Sequence, residues 1–197
     1  IGLNAHANDL TMSQAVAKMC AKIQAPTSSC VVSSLSQRTL INNIVEYTFD
    51  IKVGPQAEDV VTIHRVVKTN DGHAIKGLKN VFLVHGDAFD FRGIFLAGHT
   101  AEEGIDSHSY AIYLAKKDVD VWGIDRRWTR VPMGITNFNF MQNWDLQSEI
   151  NDVSTGLKAA RLVRKFVGND LKKMILSGWS SGAFITYAYA NYEAGLD

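Results

Sequence analysis

The residues of this sequence best suited to chemistry lie at 178–182, which read G-x-S-x-G. The apolar stretch 173–177 before them is short enough for a buried strand, and the stretch 183–191 after them can form a helix. A strand, a sharp turn and a helix are the context in which this pattern forms a nucleophile elbow. Ser180 would then present its hydroxyl as a nucleophile, and the backbone N–H of Ser181 would face a developing oxyanion.

The elements that must position this turn alternate between strand and helix from residue 80 onward. The predicted strands are 80–85, 119–124 and 173–178, and the predicted helices are 107–117, 146–167 and 181–193. This alternation is typical of a parallel sheet with right-handed crossovers. A G-x-S-x-G pattern alone also arises by chance, because glycine and serine are common in turns, so its functional interpretation depends on this context.

The first part of the chain has a different character. An amphipathic helix is predicted over 11–23, and a connecting loop rich in Ser and Thr is predicted over 24–40. Residues 43–53 alternate strictly between apolar and polar side chains, which predicts a half-exposed strand, and 59–68 predicts a second strand. Their short connection indicates an antiparallel hairpin at one edge of the sheet. His64 falls on the polar side of its strand, so we expect a solvated surface histidine.

The composition argues against several classes of function. The 197 residues include 20 Lys and Arg and 20 Asp and Glu, so nothing indicates binding to nucleic acid or to an anionic membrane surface. No apolar run approaches the roughly 20 residues of a membrane-spanning helix. The sequence has neither a glycine-rich phosphate loop nor a His, Cys, Asp and Glu cluster with metal-ligand spacing. We therefore expect one domain with no cofactor and no metal.

The two cysteines bear on localisation. Cys20 and Cys30 flank a short turn-forming segment, and a disulfide between them would be typical of an exported protein. Two buried free thiols in a cytoplasmic protein are the alternative. The chain starts at Ile1 instead of Met, which favours a processed chain. The expectation is therefore a secreted or periplasmic protein, with a cytoplasmic one as the alternative.

Three segments, 80–86, 114–127 and 174–182, carry a family resemblance. The first reads Asn-Val-Phe-Leu-Val-His-Gly and resembles the third strand and His-Gly turn of the α/β-hydrolases. The second resembles the end of the family's first helix and its fourth strand, and the third resembles the fifth strand and elbow. The segments have the family's order and spacing, and 121–127 resembles the lipase and esterase branches. The resemblance covers 79–197.

The resemblance implies an α/β-hydrolase fold with a mostly parallel sheet, an antiparallel N-terminal hairpin, and later strands that are missing from this chain. It divides the chain into an N-terminal helix and loop extension, 1–40, and the N-terminal part of a hydrolase domain, 41–197. It also implies that Ser180 is the catalytic nucleophile and that the oxyanion hole uses the backbone N–H groups of Ser181 and Asp87. Asp87 departs from the apolar residue often found after the His-Gly turn, but only its backbone is needed.

The catalytic base is not where the family places it. The family's triad runs in the order Ser, then Asp or Glu, then His, whereas all six histidines of this sequence precede Ser180. Three of them, His85, His99 and His108, compete for the role, although this motif normally gives His85 a supporting one. We expect an acid and a histidine from a second polypeptide, produced by cleavage of a common precursor after Asp197. A truncated chain is the other simple account.

The leading hypothesis is a serine hydrolase that cleaves a carboxylic ester through an acyl-enzyme on Ser180. Its expected partners are a small-molecule ester substrate and a second polypeptide that carries the C-terminal half of the fold. Two alternatives stay open. One is a non-catalytic binding protein with an α/β-hydrolase-like fold, because a fold does not fix a function. The other is a hydrolase of an amide, a lactone or a thioester.

Overall fold

The computed structural model describes residues 10–23, 29–71, 73–76, 79–100, 105–169 and 173–195, with no account of the side chains of 29–33 and 107. The strands are β1 (Ser29–Ile41), β2 (Ile44–Lys52), β3 (Val60–Asn70), β4 (His73–Ala74), β5 (Lys79–Val84), β6 (Val119–Asp125) and β7 (Ile175–Gly178). The α-helices are α1 (Met12–Cys20), α2 (Phe91–Phe95), α3 (Ala97–Thr100), α4 (Tyr110–Lys116), α5 (Leu146–Phe166) and α6 (Ser181–Ala194). Short 3-10 helices occupy Asp106–His108, Arg127–Arg130 and Asn139–Met141.

The strands form one mixed sheet with the order β1-β2-β3-β6-β5-β7, and β4 pairs with β3 beside it. The antiparallel half consists of β1, β2 and β3, and β3 also runs antiparallel to β6. The parallel half consists of β6, β5 and β7. The predicted strands and helices of 80–193 are thus confirmed, and so is the antiparallel pairing of β2 with β3.

The prediction of a loop over 24–40 is wrong for residues 29–40, which belong to β1 and pair with β2. Consequently the β2–β3 hairpin lies inside the sheet and not at its edge. The Ser-rich composition made this strand resemble a loop, because serine is common in turns. In the structure, serine side chains of β1 form hydrogen bonds with β2. Ser36 Oγ lies 2.7 Å from Thr48 Oγ1, and Ser34 Oγ accepts a hydrogen bond from the Asp50 backbone N–H at 2.7 Å.

Alternate residues of β5 enter two apolar layers on opposite faces of the sheet. Phe82 and Val84 face α1 and α5, whereas Val81 and Leu83 face α2 and α4. All four are at most 5% exposed. Burying a side chain of this kind stabilises the fold by about 1.5–3 kcal/mol relative to leaving it in water. The continuous apolar pattern of β5 is therefore explained by helices on both faces.

The polar side of the antiparallel half is buried, which contradicts the expectation of a half-exposed β2. Glu46, Thr48 and His64 are all at most 9% exposed. His64 is therefore not a solvated surface histidine. Its ring stacks on Phe91 at 4.4 Å between centroids, and its nitrogens lie 2.8 Å from Glu46 Oε1 and 3.0 Å from Asp125 Oδ2.

The two carboxylates determine the charge of His64. Burial alone would lower the pKa of His64, but Asp125 and Glu46 together raise it to about 9. In the same way burial opposes ionisation of both acids, while His64 brings the pKa of Asp125 down to about 2, and His64 together with Arg92 brings that of Glu46 down to about 2. His64 is therefore a buried cation held between two anions at neutral pH.

The helices that frame the sheet begin at recognisable caps. The Thr11 side chain accepts a hydrogen bond from the backbone N–H of Gln14 at the start of α1, and Asp145 accepts one from Ser148 at the start of α5. In α4, Ala111, Ile112 and Ala115 are buried, whereas Tyr110 is half exposed. In the parts of the chain described here, no helix has the length and hydropathy needed to cross a membrane.

The predicted Cys20–Cys30 disulfide lies outside the described residues, because the Cys30 side chain is not among them. The division of the chain at residue 40 stays a prediction.

Candidate active site

Ser180 occupies the tip of a strand–turn–helix unit. The strand β7 ends at Gly178, the helix α6 begins at Ser181, and Ser180 between them is exposed. Its backbone has φ 56° and ψ −128°, a conformation that non-glycine residues rarely adopt. Such strain costs on the order of 1–3 kcal/mol, and it persists only where neighbouring elements enforce it.

Close packing of the backbone enforces this conformation. The Trp179 backbone N–H donates to the carbonyl oxygen of Val84 at 3.0 Å, which ties the turn to the end of β5. A Cβ atom at Gly182 would lie 2.3 Å from that same oxygen, so α6 can start this close to β5 only with glycine there. A Cβ atom at Gly86 would lie 2.7 Å from the Cβ of Ser180, so this glycine leaves room beside the nucleophile.

His85 supports the turn and has no nitrogen free for Ser180. Its Nε2 accepts the backbone N–H of Arg126 at 3.0 Å, so the proton of the neutral ring is on Nδ1, which donates to the Gly86 carbonyl at 2.7 Å. Burial lowers the pKa of His85, which keeps the ring neutral near pH 7.

Two other described histidines also have hydrogen-bond partners of their own. His64 is held by Glu46 and Asp125, and His99 Nδ1 lies 2.8 Å from Asp106 Oδ1. In the described portion of the chain, no histidine nitrogen is hydrogen-bonded to the Ser180 hydroxyl, and no group of three or more His, Cys, Asp and Glu residues could hold a metal ion.

The two residues expected to supply oxyanion donors meet at one guanidinium. Arg126 Nη1 donates to Asp87 Oδ1 at 2.8 Å and to Ser181 Oγ at 3.1 Å. Burial opposes ionisation of Asp87, but hydrogen bonds from Arg126 and Ser181 lower its pKa. Among the described groups, neither the backbone N–H of Asp87 nor that of Ser181 has a hydrogen-bond acceptor. These N–H groups are therefore available to bind an anion.

Sequence reasoning missed Arg126 and its second partner, Glu149. Glu149 lies on α5 and accepts hydrogen bonds from Arg126 Nε at 3.0 Å and Nη2 at 2.8 Å. The available signal was the position of Arg126 directly after β6, because the carboxyl ends of parallel strands in such sheets face the ligand.

Comparison with known proteins gives structural neighbours but no family model and no curated protein that matches. A candidate lipase from Sulfolobus solfataricus is 20% identical over 79% of this chain, with a TM-score of 0.63. A candidate acetyl xylan esterase from Bacteroides fragilis is 12% identical over 90% of it, with a TM-score of 0.47. The rice cell wall degrading esterase LipA from Xanthomonas oryzae is 19% identical over 96%, with a TM-score of 0.46.

The similarity to the first of these structures shows the fold, which is α/β-hydrolase-like, as in lipases and esterases. This chain spans less than half the length of each neighbour, namely 45%, 48% and 45% respectively.

Proposed function

We propose that this chain carries the nucleophile of a serine hydrolase that cleaves carboxylic esters. The observation that carries the proposal is the strained, exposed Ser180 at the tip of a strand–turn–helix unit. Strain of this kind is retained where the surrounding structure needs the side chain in one place. The candidate lipase among the structural neighbours supports the same class of reaction.

The proposed reaction has two steps. Ser180 Oγ attacks the acyl carbon while a base takes its proton, and the carbonyl oxygen becomes an oxyanion facing the N–H groups of Ser181 and Asp87. The proton then passes to the leaving alkoxide, and the alcohol departs from an acyl-enzyme on Ser180. Water, deprotonated by the same base, attacks the acyl carbon, and the base returns that proton to Ser180 Oγ as the bond to the acyl group breaks and the carboxylic acid leaves.

The base and its orienting acid are proposed to come from a segment C-terminal to Asp197. Two observations support this assignment. Both nitrogens of His85 and of His64 are engaged elsewhere, and His99 Nδ1 is paired with Asp106. In addition, β7 is the outermost strand on its side of the described sheet, and Ile175 on it is 61% exposed. A further strand placed against β7 would cover this apolar edge.

Fluorophosphonate labelling tests the proposal, because the reagent reacts with an activated serine. A polypeptide that includes the segment after Asp197 should be labelled at Ser180, and its Ser180→Ala variant should not. The chain that ends at Asp197 should react slowly, because a serine hydroxyl without a base is a weak nucleophile. Absence of labelling in the longer polypeptide would favour the non-catalytic binding protein. Fast labelling of the shorter chain would refute the external base.

A further inference from the structure

Arg126 is held so that one of its nitrogen atoms has a defined direction. Its guanidinium is 9% exposed and forms a bidentate pair with Glu149 of α5 through Nε and Nη2. Its backbone N–H donates to His85 Nε2, which fixes the start of the side chain. Because both ends of the residue are anchored, the remaining nitrogen, Nη1, points in one direction.

That nitrogen joins two separate elements of the proposed oxyanion hole. Asp87 follows the turn after β5, and Ser181 is the first residue of α6. Arg126 Nη1 lies 2.8 Å from the Asp87 carboxylate and 3.1 Å from the Ser181 hydroxyl. The side chains of both residues are thus bonded to Arg126, whereas both backbone N–H groups are left unpaired among the described residues.

We infer that Arg126 is a positioning residue that sets the distance and direction between the two oxyanion donors. This inference rests on the proposed function. The residue also compensates the negative charge of Asp87, which otherwise stands beside the developing oxyanion and would oppose it. Two effects of losing Arg126 follow: the donors lose their alignment, and the carboxylates of Asp87 and Glu149 are left uncompensated, with that of Asp87 next to the reaction.

The chain contains a matched control in the next residue. Arg127 forms a bidentate pair with Asp152, one turn further along α5, through Nε at 2.6 Å and Nη2 at 2.7 Å. Its Nη1 donates to Asp59 Oδ1 at 2.8 Å. The two arginines thus have the same bonding pattern and similar burial, but the partners of Arg127 include neither oxyanion residue.

The first experiment compares Arg126→Lys with Arg127→Lys in the polypeptide that includes the segment after Asp197. Hydrolysis of p-nitrophenyl acetate gives kcat and KM, and thermal unfolding gives Tm. We expect Arg126→Lys to lower kcat by about a hundredfold, close to the loss of one oxyanion donor, with KM nearly unchanged. Arg127→Lys should lower Tm and leave kcat of the folded protein within about twofold of wild type.

The second experiment separates alignment and charge from a general loss of structure. Asp87→Asn keeps the backbone N–H but removes the charge. In the wild-type background it should lower kcat by about threefold, because one anchor of the turn is weakened. In the Arg126→Gln background it should raise kcat by about threefold, because the uncompensated carboxylate is gone. A purely structural role of Arg126 predicts a loss in both backgrounds.

The outcomes distinguish this inference from the proposed function. If the wild-type polypeptide neither hydrolyses p-nitrophenyl acetate nor reacts with a fluorophosphonate, both the proposed function and this inference are wrong. If wild type is active but Arg126→Lys retains kcat within about twofold, the inference alone is overturned. The same conclusion follows if Arg126→Lys and Arg127→Lys lose kcat equally, or if Asp87→Asn is harmful in both backgrounds.

Discussion

In the parallel half of the sheet, β5 is apolar on both faces and the neighbouring strand β7 leads to a strained serine, whereas in the antiparallel half one face carries a buried ion cluster. Val81 to Val84 are covered by helices on both sides, and the elbow at Ser180 follows the neighbouring strand. In the other half, Glu46 and His64 lie side by side under α2, and His64 also bonds to Asp125 at the end of β6. The first half stores strain at an exposed tip, and the second compensates charge in the interior.

This difference suggests a division of tasks. The backbone strain at Ser180 is useful only if it positions a reactive hydroxyl, so changing that residue should affect the rate more than the stability. A buried cation between two anions contributes to stability only while all three partners are present. Changing His64 should therefore affect the stability more than the rate.

The largest effect is expected from Ser180→Ala in the polypeptide that includes the segment after Asp197. Loss of the nucleophile should lower kcat by about a millionfold, because no covalent intermediate can form. The free energy of unfolding, measured with urea, should change little, because the hydroxyl is exposed and makes few contacts. Residual activity above about one per cent of wild type would refute the nucleophile assignment.

The second effect concerns the buried ion cluster. His64→Ala removes the cation that Glu46 and Asp125 share. Arg92 still pairs with Glu46 at 3.0 Å, so the main loss is at Asp125, and the free energy of unfolding should fall by about 3–5 kcal/mol. The matched control is His73→Ala, because His73 is exposed on β4 and its loss should cost less than about 0.5 kcal/mol. A variant His64→Ala as stable as wild type would show that the cluster is not a stabilising unit.

The contrast between the two halves also explains which structural features the sequence predicts correctly. Residues 80–84 predict a buried strand correctly, because continuous apolar side chains require cover on both faces. The alternation of apolar and polar residues in 43–53 shows which side chains of β2 share a face. It does not show what covers that face, on which His64 of the paired strand β3 also lies, so the burial of His64 was missed. Arg126 was missed because its partners Asp87 and Glu149 are 39 and 23 positions away, and only the folded chain brings them together.

A third effect is the pH dependence of the same cluster. The pKa of His64 is raised to about 9 in the folded protein. Its contribution to the free energy of unfolding is therefore complete below the pKa of the unfolded chain, near 6.5. It is lost as the pH rises through about 9, a difference on the order of 3 kcal/mol. Urea unfolding of wild type and His64→Ala between pH 6 and pH 10 should show the two stabilities converging with rising pH. A constant difference would mean that His64 is neutral when folded.

A fourth, smaller effect measures the strain at the elbow. Glycine adopts a positive φ without steric cost, so Ser180→Gly should be more stable than Ser180→Ala by about 1 kcal/mol. Both variants should be inactive, which separates strain from chemistry. As a control in the other half, Thr48→Gly should be less stable than Thr48→Ala, because β2 has an ordinary extended backbone. Equal stability of the two Ser180 variants would mean that the turn relaxes and stores no strain.

A fifth effect, no larger than the fourth, is expected at the outer strand of the antiparallel half. The Ser36 and Thr48 hydroxyls lie 2.7 Å apart between β1 and β2. Ser36→Ala should lower the free energy of unfolding by about 1 kcal/mol, because Thr48, at 9% exposure, loses its partner. The double variant Ser36→Ala with Thr48→Val removes both polar groups and should recover most of that loss. If it does, the hydroxyl pair fixes the register of β1 more than it stabilises the sheet. If the double variant loses twice as much free energy of unfolding as the single one, the two hydroxyls stabilise β1 independently. Polar contacts would then stabilise this edge strand, in the way that apolar burial stabilises β5.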